Sequence, residues 1–191
     1  MIRVANELDG AACAAIYAPY VTDHPVSFEA EPPSSTEISA RIVEYSSHYP
    51  WLVWDENGVQ GFAYASQHRT RAAYRWSVDV AIYIGTGARR RGIARALYAT
   101  LLEILRLQGF QSAFAGIALP NEPSVRFHEA LGFAPVGIYR NVGFKLGEWR
   151  DVSWWQLRFG DLPQAPAEPR PFADIASDEI AALLTRHRAA A

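Results

Sequence analysis

The stretch from Ser77 to Leu97 constrains the fold more than any other part of the chain. It reads as a strand, a tight basic turn and the start of a helix. Val78, Val80, Ile82 and Ile84 alternate with Asp79, Ala81 and Tyr83, the period of a strand with one apolar face. Asp79 is the anomaly. A carboxylate inside an apolar strand costs free energy unless it has a partner or a task. Arg89, Arg90, Arg91, Gly92, Ile93 and Ala94 then lead into an amphipathic helix. Its stripe is Ile93, Leu97, Leu101, Ile104 and Leu105. A helix N-terminus presents free N–H groups and a positive dipole end, and the arginines add charge. Gly92 has no Cβ to keep an anion away. The turn therefore reads as an anion site. It is neither a phosphate loop of the Gly-x-x-x-x-Gly-Lys-Ser/Thr kind nor a dinucleotide fingerprint, since Gly85 and Gly87 are not followed by the third glycine.

The elements around this stretch follow from local signals. Ile2 to Ala5 reads as a first strand. Asp9 is expected to cap a helix from Ala11 to Ala18, with Ile16 and Tyr17 facing in and Pro19 near its end. Residues 22–33 are rich in breakers and read as a loop. A second helix starts at Ser35 or Thr36, with Ile38, Ile42 and Val43 as its stripe. Asn57-Gly58 marks a hairpin within Trp51 to Ala65. His68 to Trp76 is a basic-aromatic connection into the central strand. Gly109 ends the long helix, and Ser112 to Ala118 is a buried strand. A turn and short helix follow, with Pro123 in the first turn and Gly132 at the end. Phe133 to Tyr139 and Trp149 to Arg158 read as the last strands. Beyond Leu162, four prolines make an extended linker to a capped amphipathic helix from Ser177 to Arg188. That helix has an apolar face to cover, on this domain or on a twin subunit.

A length of 191 residues suits one domain, and a net charge of −2 gives no sign of nucleic acid binding. The single cysteine, Cys13, excludes an internal disulfide and fits a reducing compartment. It reads as core packing. No Cys/His motif surrounds it, and no metal is expected. There is neither an apolar leader nor a run able to cross a bilayer, so the cytoplasm is the expected location.

The segment Arg89 to Ala94 resembles the Arg/Gln-x-x-Gly-x-Gly/Ala pyrophosphate loop of the GCN5-related N-acetyltransferases. Further words resemble the phosphinothricin and methionine sulfoximine branch of that superfamily. They are Tyr49-Pro-Trp-Leu-Val, Gly109-Phe, Leu119-Pro-Asn-Glu-Pro-Ser-Val-Arg-Phe-His-Glu-Ala-Leu-Gly-Phe and Gly143-Phe-Lys-Leu-Gly-Glu-Trp-Arg-Asp-Val-Ser-Trp-Trp-Gln. The resemblance covers roughly residues 2 to 160. It implies an α+β acyl-CoA N-acyltransferase fold, with a mostly antiparallel mixed sheet flanked by helices. Beyond its reach, composition gives a linker over 161–175 and a terminal helix over 176–191, while the resemblance implies an N-acetyltransferase domain over residues 1–160. It also implies acetyl-CoA as acyl donor, a small amino-acid-like amine as acceptor, and a homodimer.

The resemblance assigns roles residue by residue. Asp79 stands where the branch has a glutamate acting as general base, one methylene shorter. An α-amino group is mostly protonated at neutral pH, so acyl transfer needs a proton acceptor. The bland alternative is a structural ion pair with Arg69 or Arg71. His128 matches an active-site histidine, and Phe28 an aromatic of the substrate loop. Arg69, Arg71 and Tyr74 match substrate-gripping positions, where guanidinium forks suit an α-carboxylate. Tyr83 either lines the pocket or is core. The backbone of Ile82, Tyr83 and Ile84 would meet the pantetheine arm, residues Arg89 to Ala94 the pyrophosphate, and Asn121 and Ser124 the pantetheine and adenine ends. Trp149, Trp154 and Trp155 read as core or dimer contacts. Two other functions remain open at this point: a protein or peptide N-acetyltransferase, and a non-catalytic acyl-CoA-binding module.

Overall fold

The structure, a computed structural model, describes residues 1–187. Seven strands form one sheet in the order β1-β2-β3-β4-β5-β7-β6. They are β1 (Ile2–Val4), β2 (Trp51–Asp55), β3 (Val59–Gln67), β4 (Ser77–Ile84), β5 (Ser112–Ala118), β6 (Ala134–Lys145) and β7 (Glu148–Arg158). Every pairing is antiparallel except β4 with β5. Helices α1 (Gly10–Thr22) and α2 (Ser35–Ser46) cover one face. On the other lie α3 (Ile93–Gln108) and α5 (Ser177–Arg186), and α4 (Glu122–Ala130) follows β5. The mixed, mostly antiparallel sheet flanked by helices is thus the architecture expected from the resemblance. Among the described residues no helix is long and apolar enough to cross a membrane.

The alternation of β4 sorts the core into two parts. Val78, Val80 and Ile84 pack with the α3 stripe, all five members of which are buried. Each such aliphatic side chain contributes roughly 1.5–3 kcal/mol on leaving water. Tyr83 faces the other way, into a layer with Tyr17, Ile38, Ile42, Trp51 and Phe62. Gly109 ends α3 at φ 97°, as its position suggested.

Several local expectations are corrected. Asp9 does not cap α1. It accepts from the Asn6 amide in a capping box and pairs with Arg3 at 2.6 Å. α1 runs through Pro19 to Thr22, since a proline removes only one bond near a helix end. α2 does start at Ser35, with Ser34 as its cap boxed with Glu37, but Val43 is 58% exposed rather than in the stripe. β6 continues to Lys145, past a register shift between Tyr139 and Gly143 where Asn141 adopts φ 48°. Trp155 is buried, whereas Trp149 is 63% exposed.

The proline-rich segment crosses the end of α3. The Arg170 amide donates to the Gln108 carbonyl at 2.7 Å, and Trp76 Nε1 donates to the Ala167 carbonyl at 2.8 Å. Phe172, Ile175 and Ile180 enter the core beside α3, and Arg186 pairs with Glu103. The apolar face of α5 is therefore covered by its own chain. Arg188, the expected helix end, lies outside the described residues.

Candidate active site

The β4–β5 pairing holds at Ser77↔Ser112, Val78↔Ala113 and Asp79↔Phe114, and then stops. Beyond Asp79 the two strands splay. The cleft between them is lined by Val80 to Tyr83, Ala115 to Ala118, Tyr98, Asn121, Ser124 and His128. Two parallel strands that part leave one row of peptide groups without a strand partner. The β3–β4 register shows which row this is. Tyr83 pairs with Phe62, and the Gly85 amide donates to Gln60, so residues 83 and 85 turn their backbone towards β3. Ile82 and Ile84 turn theirs towards the cleft. The Tyr20 hydroxyl closes off Ile84, donating to its carbonyl at 2.7 Å and accepting from its amide at 3.3 Å. Of the three residues expected to offer backbone groups, only Ile82 directs free ones into the cleft.

At the end of β4 the chain forms a basic turn. Arg90 (φ 63°) and Gly92 (φ 76°) are both left-handed, and Gly92 is the helix N-cap without a side-chain cap bond. The amides of residues 92 to 95 carry no hydrogen bond among the described residues. Successive free amides at a helix start form a concave anion nest. The arginine side chains are partly engaged elsewhere. Arg91 bonds Glu56 and Gln60 at 2.8 and 2.7 Å, and Arg89 lies over the Tyr20 ring at 5.5 Å. Ile93 is buried. This corner is thus built from main chain, and it meets one end of a cleft with exposed peptide groups. Both features fit an extended ligand that ends in a phosphate.

The fork of the splay holds Asp79. Its partner is neither Arg69 nor Arg71 but His68, whose Nδ1 lies 2.6 Å from Asp79 Oδ1. Burial raises the Asp79 pKa above the ordinary carboxylate value, and the His68 hydrogen bond and the nearby Arg69 charge oppose that shift. His68 stacks on Phe114 with centroids 4.3 Å apart. Arg69 lies over the Trp154 ring at 5.5 Å, whereas Arg71 is exposed at the start of a short turn. Tyr74 meets the edge of His68 at 5.9 Å.

A second cavity opens on the same face. Tyr17, Ser27, Phe28, Glu29, Tyr83, Gly116 and Trp154 line it. The Tyr17 hydroxyl bonds Ser27 at 2.5 Å, and Glu29 is held by Arg41 at 2.7 Å, which fixes the α1–α2 loop. A side chain on Gly143 would collide with Phe28, so that glycine lets the ring settle against β6. Trp154 stands between this cavity and a third one, lined by His68, Arg69, Phe114 and Tyr139. The buried indole N–H of Trp154 has no hydrogen-bond partner among the described residues.

His128 lies on the coenzyme side of the fork and is 4% exposed. Its Nδ1 donates to the Ser124 carbonyl at 2.8 Å, which leaves Nε2 to accept from the Tyr98 hydroxyl at 3.2 Å. Burial lowers its pKa, so the ring is held neutral. Asn121 caps α4 by accepting from the Ser124 amide at 3.3 Å, while both residues also face the cleft.

Residues 2–154 match the family model described as Acetyltransferase (GNAT) domain. The chain belongs to the GNAT acetyltransferases. This acetyltransferase is 41% identical to the phosphinothricin N-acetyltransferase of Streptomyces viridochromogenes, over 91% of the chain and 95% of that protein. It is 30% identical to the L-methionine sulfoximine/L-methionine sulfone acetyltransferase of Salmonella typhimurium, over 84% of the chain and 95% of that protein. It superposes with a TM-score of 0.83 on a GNAT phosphinothricin acetyltransferase from Sinorhizobium meliloti in complex with AcCoA. That protein is 34% identical, with 88% of this chain and 93% of that one covered. As a member of this family the enzyme is an N-acetyltransferase that uses acetyl-CoA.

Sequence reasoning missed His68 and Trp154 as site residues of this acetyltransferase. A register signal existed for the first. Ser66 pairs with Asp79, and residues two apart on a strand share a face, so His68 falls diagonal to Asp79. Trp154 needed the pairing Gly116↔Trp154, which lays its ring over a position without a side chain.

Proposed function

We propose that this enzyme acetylates the α-amine of a small amino-acid-like substrate of the phosphinothricin, methionine sulfoximine or methionine sulfone type. One observation carries the reading: a carboxylate stands where β4 and β5 part, at the head of the cleft between the strands, and a largely apolar cavity with Tyr17, Ser27 and Glu29 in its wall opens on the same face. Bound acetyl-CoA supplies an acyl carbon activated as a thioester. The backbone of Ile82 and the amides from Gly92 to Arg95 hold it, with Asn121 and Ser124 along the cleft. Asp79 stands at the fork as the carboxylate that supports removal of a proton from the amine. His128 and Tyr98 face the cleft as a neutral imidazole and hydroxyl pair that shape its wall. Arg69 offers its fork to the substrate carboxylate, with Arg71 and Tyr74 at the rim. Phe28, Tyr83 and Trp154 form the walls.

A thiol-release assay with acetyl-CoA and these three compounds tests the substrate. Turnover of at least one is expected. Turnover of a polyamine or a peptide N-terminus but none of the three would replace the substrate class and keep the reaction. The reading extends to a homodimer in the cytoplasm. β6 and the start of β7 expose Val136, Ile138, Tyr139, Val142, Phe144 and Trp149, more apolar surface than an edge strand leaves to water. Sedimentation should give twice the chain mass.

A further inference from the structure

We infer that the proton acceptor facing the substrate is the imidazole of His68, with Asp79 behind it as the orienting carboxylate. The inference rests on the acetyl-transfer reading and goes beyond it. Asp79 is one methylene shorter than the glutamate of the resembling branch, so its carboxylate stops short of where the longer side chain would reach. His68 stands directly against it. Its Nδ1 is 2.6 Å from Asp79 Oδ1, and the ring is clamped parallel to Phe114 at 4.3 Å and 15°. Trp154 meets its edge at 6.1 Å. The ring can turn neither away from the carboxylate nor out to solvent, since its side chain is only 11% exposed.

A carboxylate on Nδ1 keeps the proton of a neutral imidazole on that nitrogen. Nε2 then carries the lone pair. It makes no hydrogen bond among the described residues, although it is not sealed from solvent. His68 lines the cavity shared with Arg69 and Trp154. The titratable and charged groups around the ring are Asp79 from β4, Arg69 and Tyr74 from its own connection, and Tyr139 from β6 across the cavity.

The proton balance is simple. The substrate ammonium hands one proton to Nε2, and Asp79 stabilises the imidazolium. The freed amine forms the N–C bond as the C–S bond breaks. The second proton leaves the nitrogen with the thiolate, which becomes the thiol, and the imidazolium returns its proton to water. The net products are the acetamide, the thiol and one proton.

The test combines His68→Ala, Asp79→Glu and the double variant, with kcat and KM for both substrates across pH. His68→Ala should lower kcat by about a hundredfold or more, the usual contribution of a positioned base. The acetyl-CoA KM should stay within about twofold, and free imidazole in the buffer should restore part of kcat. The low-pH limb of the rate profile should move, which a merely structural residue would not do. Asp79→Glu should also be slow, because the longer arm pushes the ring aside. Adding it to His68→Ala should raise activity above that of His68→Ala alone, since the carboxylate then reaches the amine itself. A His68→Ala variant within about threefold of wild type overturns the inference. So does an Asp79→Glu variant as fast as wild type together with no imidazole rescue, which gives the base role to the carboxylate alone. Wild-type enzyme inactive on every amine removes the acetyl-transfer reading and this inference with it.

Discussion

The two sides of the β4–β5 fork are built from different materials. The coenzyme side uses main chain: peptide groups that a splayed strand leaves unpaired, and the amides of a left-handed turn opening α3. The amine side uses side chains from four separate segments, with Phe28 from a loop, His68 and Arg69 from a connection, Asp79 from β4 and Trp154 from β7. Backbone groups are common to every sequence that adopts the fold. They suit a cosubstrate shared by a whole family. Side chains can be exchanged one at a time, so the substrate preference resides there. His68 in front of Asp79 is one such side chain.

The largest expected effect lies at the fork, where the two materials meet. Asp79→Asn should lower kcat by about 10²–10⁴-fold with little change in acetyl-CoA affinity, read by steady-state kinetics and calorimetry. It should also stabilise the protein near neutral pH. The Asp79 pKa is raised in the folded state, so the folded protein binds the proton more tightly than the unfolded chain does. Stability is therefore lost as pH rises from the unfolded to the folded pKa, and the neutral asparagine escapes that loss. Thermal melts of both proteins at acid and neutral pH check the sign. A variant less stable than wild type at neutral pH would show the carboxylate to be structural.

Gly92→Val is the next largest. A β-branched residue at φ 76° costs about 1–2 kcal/mol and puts a Cβ beside the amides. Affinity for coenzyme A should fall roughly tenfold while the amine KM holds. Trp154→Ala should do the reverse, raising the amine KM several-fold and leaving the acetyl-CoA KM unchanged. If both variants move both constants equally, the division into a main-chain half and a side-chain half fails. Arg91→Ala should do least. Its guanidinium is committed to Glu56 and Gln60 in solvent-screened contacts, so acetyl-CoA KM should shift by less than about twofold. A large shift there would mean that the arginine side chain, not the turn, grips the phosphate.

How far the residues announce these features depends on the range of the interactions. The alternation of β4, the α3 stripe and the stop at Gly109 are decided within a few neighbours, and each stands where the pattern put it. So does the turn at Asn57-Gly58. The start of α2 at Ser35 was legible too, whereas Val43, next to buried Ile42, is 58% exposed instead of in the stripe.

Contacts between distant segments are another matter. The Tyr20 hydroxyl reaches Ile84 across 64 residues of chain, and Glu103 meets Arg186 across 83. Nothing in either residue's surroundings names its partner. The choice of His68 over Arg69 and Arg71 for Asp79 turns on which residue of a basic run shares a sheet face with the acid, and that follows from strand register. Composition and periodicity were enough to specify a strand–turn–helix that binds an anion, because those properties are local. Closure of the sheet decided which side chains surround the acid, because a register is settled only when all the strands are packed together.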